Sequence, residues 1–230
     1  RIGASVSVSA GAQQFTVTLN VLTKHLDRGM ELMLERMLKP AFTQADFDRV
    51  KAQTIEGLMQ QRKTPAGLAG RAIDAVLHGP THPLSYPAGG LPSTVEALTL
   101  EDVRAFHAAA VPSQLSGVMV STSVPQAEMV AALQGLAGLE AAPAARPPLP
   151  GMPPIEQRGI YLVDKEGAAQ SSLRTGQHAM PFDATGDFYK SGLMNFPLGG
   201  TFNSRINLNL REDKGYTYGA RSFFSGDEQY

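Results

Sequence analysis

A chain of 230 residues, 43% hydrophobic and 18% charged, is long and apolar enough to bury a core, which excludes disorder, collagen and fibre. With Lys+Arg 20 against Asp+Glu 21 the formal net charge is −1, so no general field draws in nucleic acid and none is expected as a partner. Zero cysteines remove disulfides, thiolate metal sites and a cysteine nucleophile, and no apolar run approaches the roughly 20 residues that span a bilayer, so no membrane insertion is expected.

Residues 5–9 and 15–21 alternate apolar with small polar side chains, the period of strands with one buried face, and Ala10-Gly11-Ala12-Gln13 between them reads as a hairpin. Thr23 is placed to cap a helix whose apolar positions Leu26, Met30, Met33, Met37 and Leu38 recur until Pro40 stops it. Thr43 with Asp46 opens a second helix through Phe47, Val50, Ile55 and Leu58, and Thr64-Pro65 opens a third running to about Leu77. A Gly/Pro-rich loop occupies residues 78–90, and Thr99 with Asp102 caps a further helix through Val103, Phe106 and His107. Residues 117–121 read as a buried strand, and Pro125 opens a helix to about Leu136.

Residues 141–154, AAPAARPPLPGMPP, have no periodicity and predict an extended connector. After it residues 160–163 and 170–175 read as strands, and residues 188–196 as a helix closing at Leu198-Gly199-Gly200. A last helix runs from about Asn203 to Asp213, and Gly215 turns the chain into an extended segment over 216–223. The fold class is therefore α+β, with two sheet-plus-helices units at 1–140 and 155–230 joined by the 141–154 linker. Starting at Arg1 without an initiator Met and stopping at Tyr230 without a helix stop, the sequence reads as a piece of a longer protein in which both units are incomplete.

The histidines supply no metal centre. His78 and His82 lie four apart, but Gly79-Pro80 between them excludes a helix and no carboxylate adjoins them, so they read as surface-loop residues. His25 and His107 read as core-edge or solvated helix residues, and His178 reads as the end of a short strand. Gly-x-Gly-x-x-Gly, P-loop and Gly-x-Ser-x-Gly spacings do not occur, so no self-contained active site is legible.

One stretch differs in kind. Leu198-Gly199-Gly200-Thr201-Phe202-Asn203-Ser204-Arg205 through Leu210-Arg211-Glu212-Asp213-Lys214-Gly215-Tyr216-Thr217-Tyr218-Gly219 resembles the M16 (pitrilysin/insulinase-like) zinc metallopeptidases, which carry LGG.FxSRLxxxLRExxGYtYG in the second of their paired domains. The run Asp164-Lys165-Glu166-Gly167-Ala168-Ala169-Gln170-Ser171-Ser172 is similar to a strand pair of the same family, and residues 38–53 and 78–111 resemble the later portion of its repeat. The likeness covers almost the whole chain.

The resemblance implies a clam-like peptidase of four homologous LuxS/metallohydrolase-like domains in two halves, closing on a peptide or unfolded polypeptide held by β-augmentation. It implies zinc on an inverted His-x-x-Glu-His helix plus a downstream Glu of the other half, in the same chain or a partner subunit. That motif is absent here, and Glu56, on a helix like the one that supplies the downstream Glu, reads as solvated. This chain is similar instead to the end of one domain (1–140) and the start of the next (155–230) of the zinc-free half, which contributes an Arg and a Tyr. Carried over by position these are Arg211 and Tyr218, with Tyr216 as the alternative phenol because period-two geometry puts both tyrosines on one face. Asn203 and Arg205 are further candidates at the substrate side or as fixings of the helix. Metal ligands in this chain: none. The alternative implied function is a non-catalytic M16-like subunit that binds peptides or scaffolds an assembly. The compartment stays open between periplasm and cytosol; the export of many bacterial relatives favours the periplasm.

Overall fold

The computed structural model describes residues 2–11, 14–111, 117–136, 139, 150–155 and 158–226. It is helix-dominated, with a small two-stranded sheet, and divides into a unit of Arg1–Thr175 and a unit of Gly176–Tyr230.

In the first unit β1 (Ser5–Ala10) and β2 (Phe15–Asn20) pair antiparallel, Val6 opposite Leu19 and Val8 opposite Val17, as the alternating pattern predicts. Ala12 and Gln13 of the expected hairpin lie outside the described residues; the Gly11 N–H donates to the Gln14 carbonyl at 2.8 Å across it. Thr23 does not cap the next helix. It begins a 3-10 turn, Thr23–His25, that leads directly into α1 (Leu26–Leu38). A Cβ on the buried Gly29 of α1 would lie 3.0 Å from Val21, so glycine there lets helix and strand approach closely. Met30 and Met33 carry the buried stripe of α1.

α2 (Gln44–Gln61) and α3 (Pro65–His78) start as their caps predict. The Thr43 hydroxyl oxygen accepts the Asp46 N–H at 3.2 Å, and the Thr64 hydroxyl accepts the Gly67 N–H at 3.1 Å. The residues after Gly90 are not all loop before Thr99: Pro92 opens α4 (Pro92–Ala97), and Val95 of that short helix is buried. Lys51 Nζ, on α2, donates to the carbonyls of Glu96 at 2.7 Å and Leu98 at 2.8 Å, placing a cation at the C-terminal end of α4. α5 (Leu100–Ala110) begins with a full capping box between Thr99 and Asp102. Two hydrogen bonds from Thr99, hydroxyl first and backbone N–H second, hold the Asp102 carboxyl below its ordinary pKa. α6 (Gln126–Ala132) and a 3-10 turn at Leu133–Leu136 complete the helices of this unit.

His82 corrects the surface-loop reading. It is 1% exposed, its Nδ1 accepts the Leu84 N–H at 3.1 Å, and its Nε2 therefore carries the proton donated to the Pro150 carbonyl at 3.0 Å. His78 stacks on it with ring centres 5.6 Å apart. His107 sits at the core edge, Nε2 2.8 Å from the Met37 carbonyl and its ring edge-on to Phe42. Residues 141–149 of the expected linker lie outside the described residues, while Pro150 and Pro153 pack at His82 and Gly79 within the first unit.

The segments 117–121, 160–163 and 170–175 do not form the expected strands: among the described residues only β1 and β2 share a ladder. Met119, Ile160 and Leu162 are almost fully exposed, so 117–121 is not buried either. Their composition favours extended backbone, but a strand is completed only by a hydrogen-bonded neighbour, and composition carries no information about where that neighbour lies.

In the second unit α7 (Asp187–Asn195) widens into a π-helical turn at Phe196–Gly200, and α8 (Arg205–Asn207) widens likewise into Leu208–Asp213. The extended residues beyond Gly215 lie against these two helical stretches.

Candidate functional site

All five candidate residues fall in the second unit, so its local geometry decides what they can do. The Asp183 carboxylate accepts the N–H groups of Thr185 at 3.0 Å and Gly186 at 2.8 Å, forming the turn into α7. Those two donors, Thr185 first, hold its carboxyl below the usual range. At the far end of α7 the buried Asn195 faces Ser222. Its Nδ2 donates to the Ser222 carbonyl at 2.7 Å, and its Oδ1 accepts the Ser222 hydroxyl at 2.5 Å. The Ser222 N–H donates to the Gly199 carbonyl at 3.0 Å, and a Cβ on Gly199 would stand 2.7 Å from that nitrogen. Close backbone approach is thus the reason for glycine at 199.

The helix that carries Arg211 begins after the fully buried Ser204. Its π-helical second part leaves wide-ring carbonyls that the following turn satisfies. The N–H groups of Lys214, Gly215 and Tyr216 donate to the carbonyls of Asn209, Arg211 and Leu210 at 3.0, 3.2 and 2.9 Å. Gly215 takes φ +64°, the left-handed conformation that reverses the chain.

Arg211 points back over Phe202, its guanidinium carbon 4.5 Å from the ring centre, and its side chain is 32% exposed. Nη1 lies 3.5 Å from a Glu212 carboxylate oxygen, an ion-pair distance, yet it is buried and makes no hydrogen bond among the described residues. Tyr216 and Tyr218 are 77% and 90% exposed. Between them the half-buried Thr217 accepts the Gly219 N–H at 3.1 Å, a turn that throws the Tyr218 ring outward. Asn203 lies in the exposed turn before the helix and Arg205 is its exposed first residue. Among the described residues no hydrogen bond or ion pair joins Arg211 to Tyr216, Tyr218, Asn203 or Arg205.

The sequence reading passed over Asn207. It is 4% exposed, donates from Nδ2 to the Phe202 carbonyl at 2.7 Å, and accepts the Ala220 N–H on Oδ1 at 2.9 Å. A mid-helix asparagine has weak helix propensity, and that was the available signal. Zinc does not fit the residues present. Among the described residues no three His, Cys, Asp or Glu side chains gather as a metal-ligand group, and Glu56 is exposed on α2. No described helix is long and apolar enough to cross a membrane.

Residues 97–230 match the family described as peptidase M16 inactive domain, and the chain belongs to that family. It is 25% identical, over 96% of its length and 51% of the relative's, to a Helicobacter pylori protein named non-peptidase homolog YmxG. A Mycobacterium leprae protein named as an uncharacterized zinc protease is 22% identical over 96% of this chain and 50% of its own length. A Bacillus subtilis uncharacterized zinc protease, YmxG, is 21% identical over 99% of this chain and 54% of its own. The chain therefore spans about half the length of the curated relatives it matches. Among solved structures, the peptidase M16 inactive domain from Pseudomonas fluorescens superposes with a TM-score of 0.72 at 25% identity, over 98% of this chain and 54% of that one.

Proposed function

We propose that this chain is part of the zinc-free half of an M16 metallopeptidase and lends Arg211 and a tyrosine, Tyr218 before Tyr216, to the carbonyl of a bound peptide. The observation that carries the reading is the Arg211 guanidinium, held over Phe202 with its side chain still 32% exposed. As a peptide carbonyl is attacked its oxygen gains negative charge. A guanidinium N–H and a phenolic O–H aimed at that oxygen stabilise the transition state more than the ground state. Zinc belongs to the other half, in cis or in a partner subunit, and the substrate is a peptide or unfolded polypeptide.

Asn203 and Arg205, both exposed beside this helix, are assigned to the substrate side. The two domains of this half are placed at 1–140 and 155–230, and the compartment is proposed as the periplasm. The test is Arg211→Ala in the full-length protein assembled with its zinc-bearing half, assayed on a quenched fluorescent peptide. Loss of one such donor lowers kcat about 10²–10³-fold, with zinc content unchanged; undiminished turnover removes the assignment.

A second reading is favoured by one specific observation, the relative named as a non-peptidase homolog. In that reading this chain belongs to a non-catalytic subunit that binds a peptide without cleaving it or scaffolds an assembly. Binding of the quenched peptide without turnover by the complete assembly would select it.

A further inference from the structure

We propose that Asn207 is the positioning residue of this site: one buried amide joins the backbone beneath Arg211 to the segment that carries Tyr218, so both groups are set by the same side chain. The functional half of this statement rests on the reading above; the geometric half does not.

Both ends of the amide are used. Nδ2 donates to the carbonyl of Phe202, whose ring lies 4.5 Å beneath the Arg211 guanidinium, and Oδ1 accepts the N–H of Ala220, just past Tyr218 and Gly219. The amide orientation is fixed by its partners. Rotated by half a turn, its NH2 would face the Ala220 N–H and its oxygen the Phe202 carbonyl, two repulsions in a place 4% exposed. Asn195 holds the same extended segment further on, at Ser222, and among the described residues its side chain makes no hydrogen bond to Phe202 or Arg211. Asn207 therefore couples the two candidate groups, whereas Asn195 only holds the extended segment.

The test compares three variants of the full-length protein. Asn207→Asp keeps an oxygen for the Ala220 N–H but sets a second oxygen against the Phe202 carbonyl. Asn207→Ala removes both contacts, and Asn195→Ala removes only the distal hold. Readouts are the ring-current shift of the Arg211 side-chain protons over Phe202, hydrogen exchange at the Ala220 amide, and kcat on the quenched peptide. Expected for Asn207→Asp are loss of the Arg211 shift with Ala220 protection kept. Asn207→Ala should lose the shift and speed Ala220 exchange by about tenfold, the weight of one hydrogen bond. Asn195→Ala should leave the Arg211 shift in place. An unchanged Arg211 shift in Asn207→Asp overturns the proposal, and that isosteric variant decides it should Asn207→Ala not fold. If Arg211→Ala leaves turnover intact, the catalytic reading fails while the shift and exchange data still judge the coupling. If Arg211→Ala lowers kcat but Asn207→Asp does not, the positioning role alone falls.

Discussion

Asn195 and Ser222 meet twice: the amide Nδ2 donates to the serine carbonyl and the amide oxygen accepts the serine hydroxyl, at 2.7 and 2.5 Å. Replacing either partner strands buried polar atoms of the other. Asn195→Ala and Ser222→Ala are each expected to cost about 1–3 kcal/mol, and the double variant less than their sum, because the second change removes groups the first left unpaired. Gly199→Ala, which drives a methyl group into Ser222, is expected to cost about 1–3 kcal/mol by overpacking. Urea unfolding followed by circular dichroism checks all four, and strictly additive losses would deny the coupling.

The two exposed phenols are separable by single-atom changes. Under the proposed function Tyr218→Phe lowers kcat by about 10²-fold and Tyr216→Phe leaves it within about threefold, since only the group that meets the developing charge contributes. The reverse outcome would move the role to Tyr216. Steady-state kinetics of the assembled enzyme on one peptide suffices, and neither change should alter the melting temperature, because both rings are already largely in water.

Acid should act on the helix starts. The Asp102 and Asp46 carboxyls are lowered, each first by the hydroxyl of its capping threonine, Thr99 and Thr43, and Arg49 helps lower Asp46. A carboxyl lowered in the folded state stabilises the fold above the ordinary carboxylate range. That contribution disappears as pH falls below about 4 and through the folded values. Thr99→Ala should raise the Asp102 midpoint towards the ordinary value, read by carbon-detected NMR titration; an unmoved midpoint contradicts the cause given. Thr64→Ala, a cap without a carboxylate partner, should cost about 1 kcal/mol at any pH.

His82→Phe fills similar space but leaves the Leu84 N–H and the Pro150 carbonyl without their side-chain partner. A loss of about 1–3 kcal/mol is expected, chiefly from the half-buried Leu84 N–H, since Pro150 is exposed and its carbonyl can turn to water. A variant as stable as the parent in thermal unfolding would show that the imidazole is only a space filler.

What was legible in the sequence was local. Thr43, Thr64 and Thr99 announce their helices because a cap and the N–H it satisfies sit three residues apart in the chain, and the Arg211 to Tyr218 stretch announced itself by pattern. α4 was missed although Pro92 stands at its first turn, since six residues give too little periodicity to register. Residues 160–163 and 170–175 have the composition of strands but no ladder among the described residues, because pairing is a joint property of two segments that the composition of neither carries. Asn195 and Asn207 drew no reading from the sequence. Their roles depend on Ser222 and Ala220, contacts that no spacing rule along a single helix can foresee.

Gly215 turns the chain at φ +64° while three successive N–H groups after the π-helical stretch find carbonyls behind them. The stretch of backbone between guanidinium and phenols is thus a rigid gauge rather than a tether. Adding or deleting a single residue there would rotate one group away from the other without unfolding anything, so this turn tolerates substitutions of side chains on its outer face far better than any change in its length.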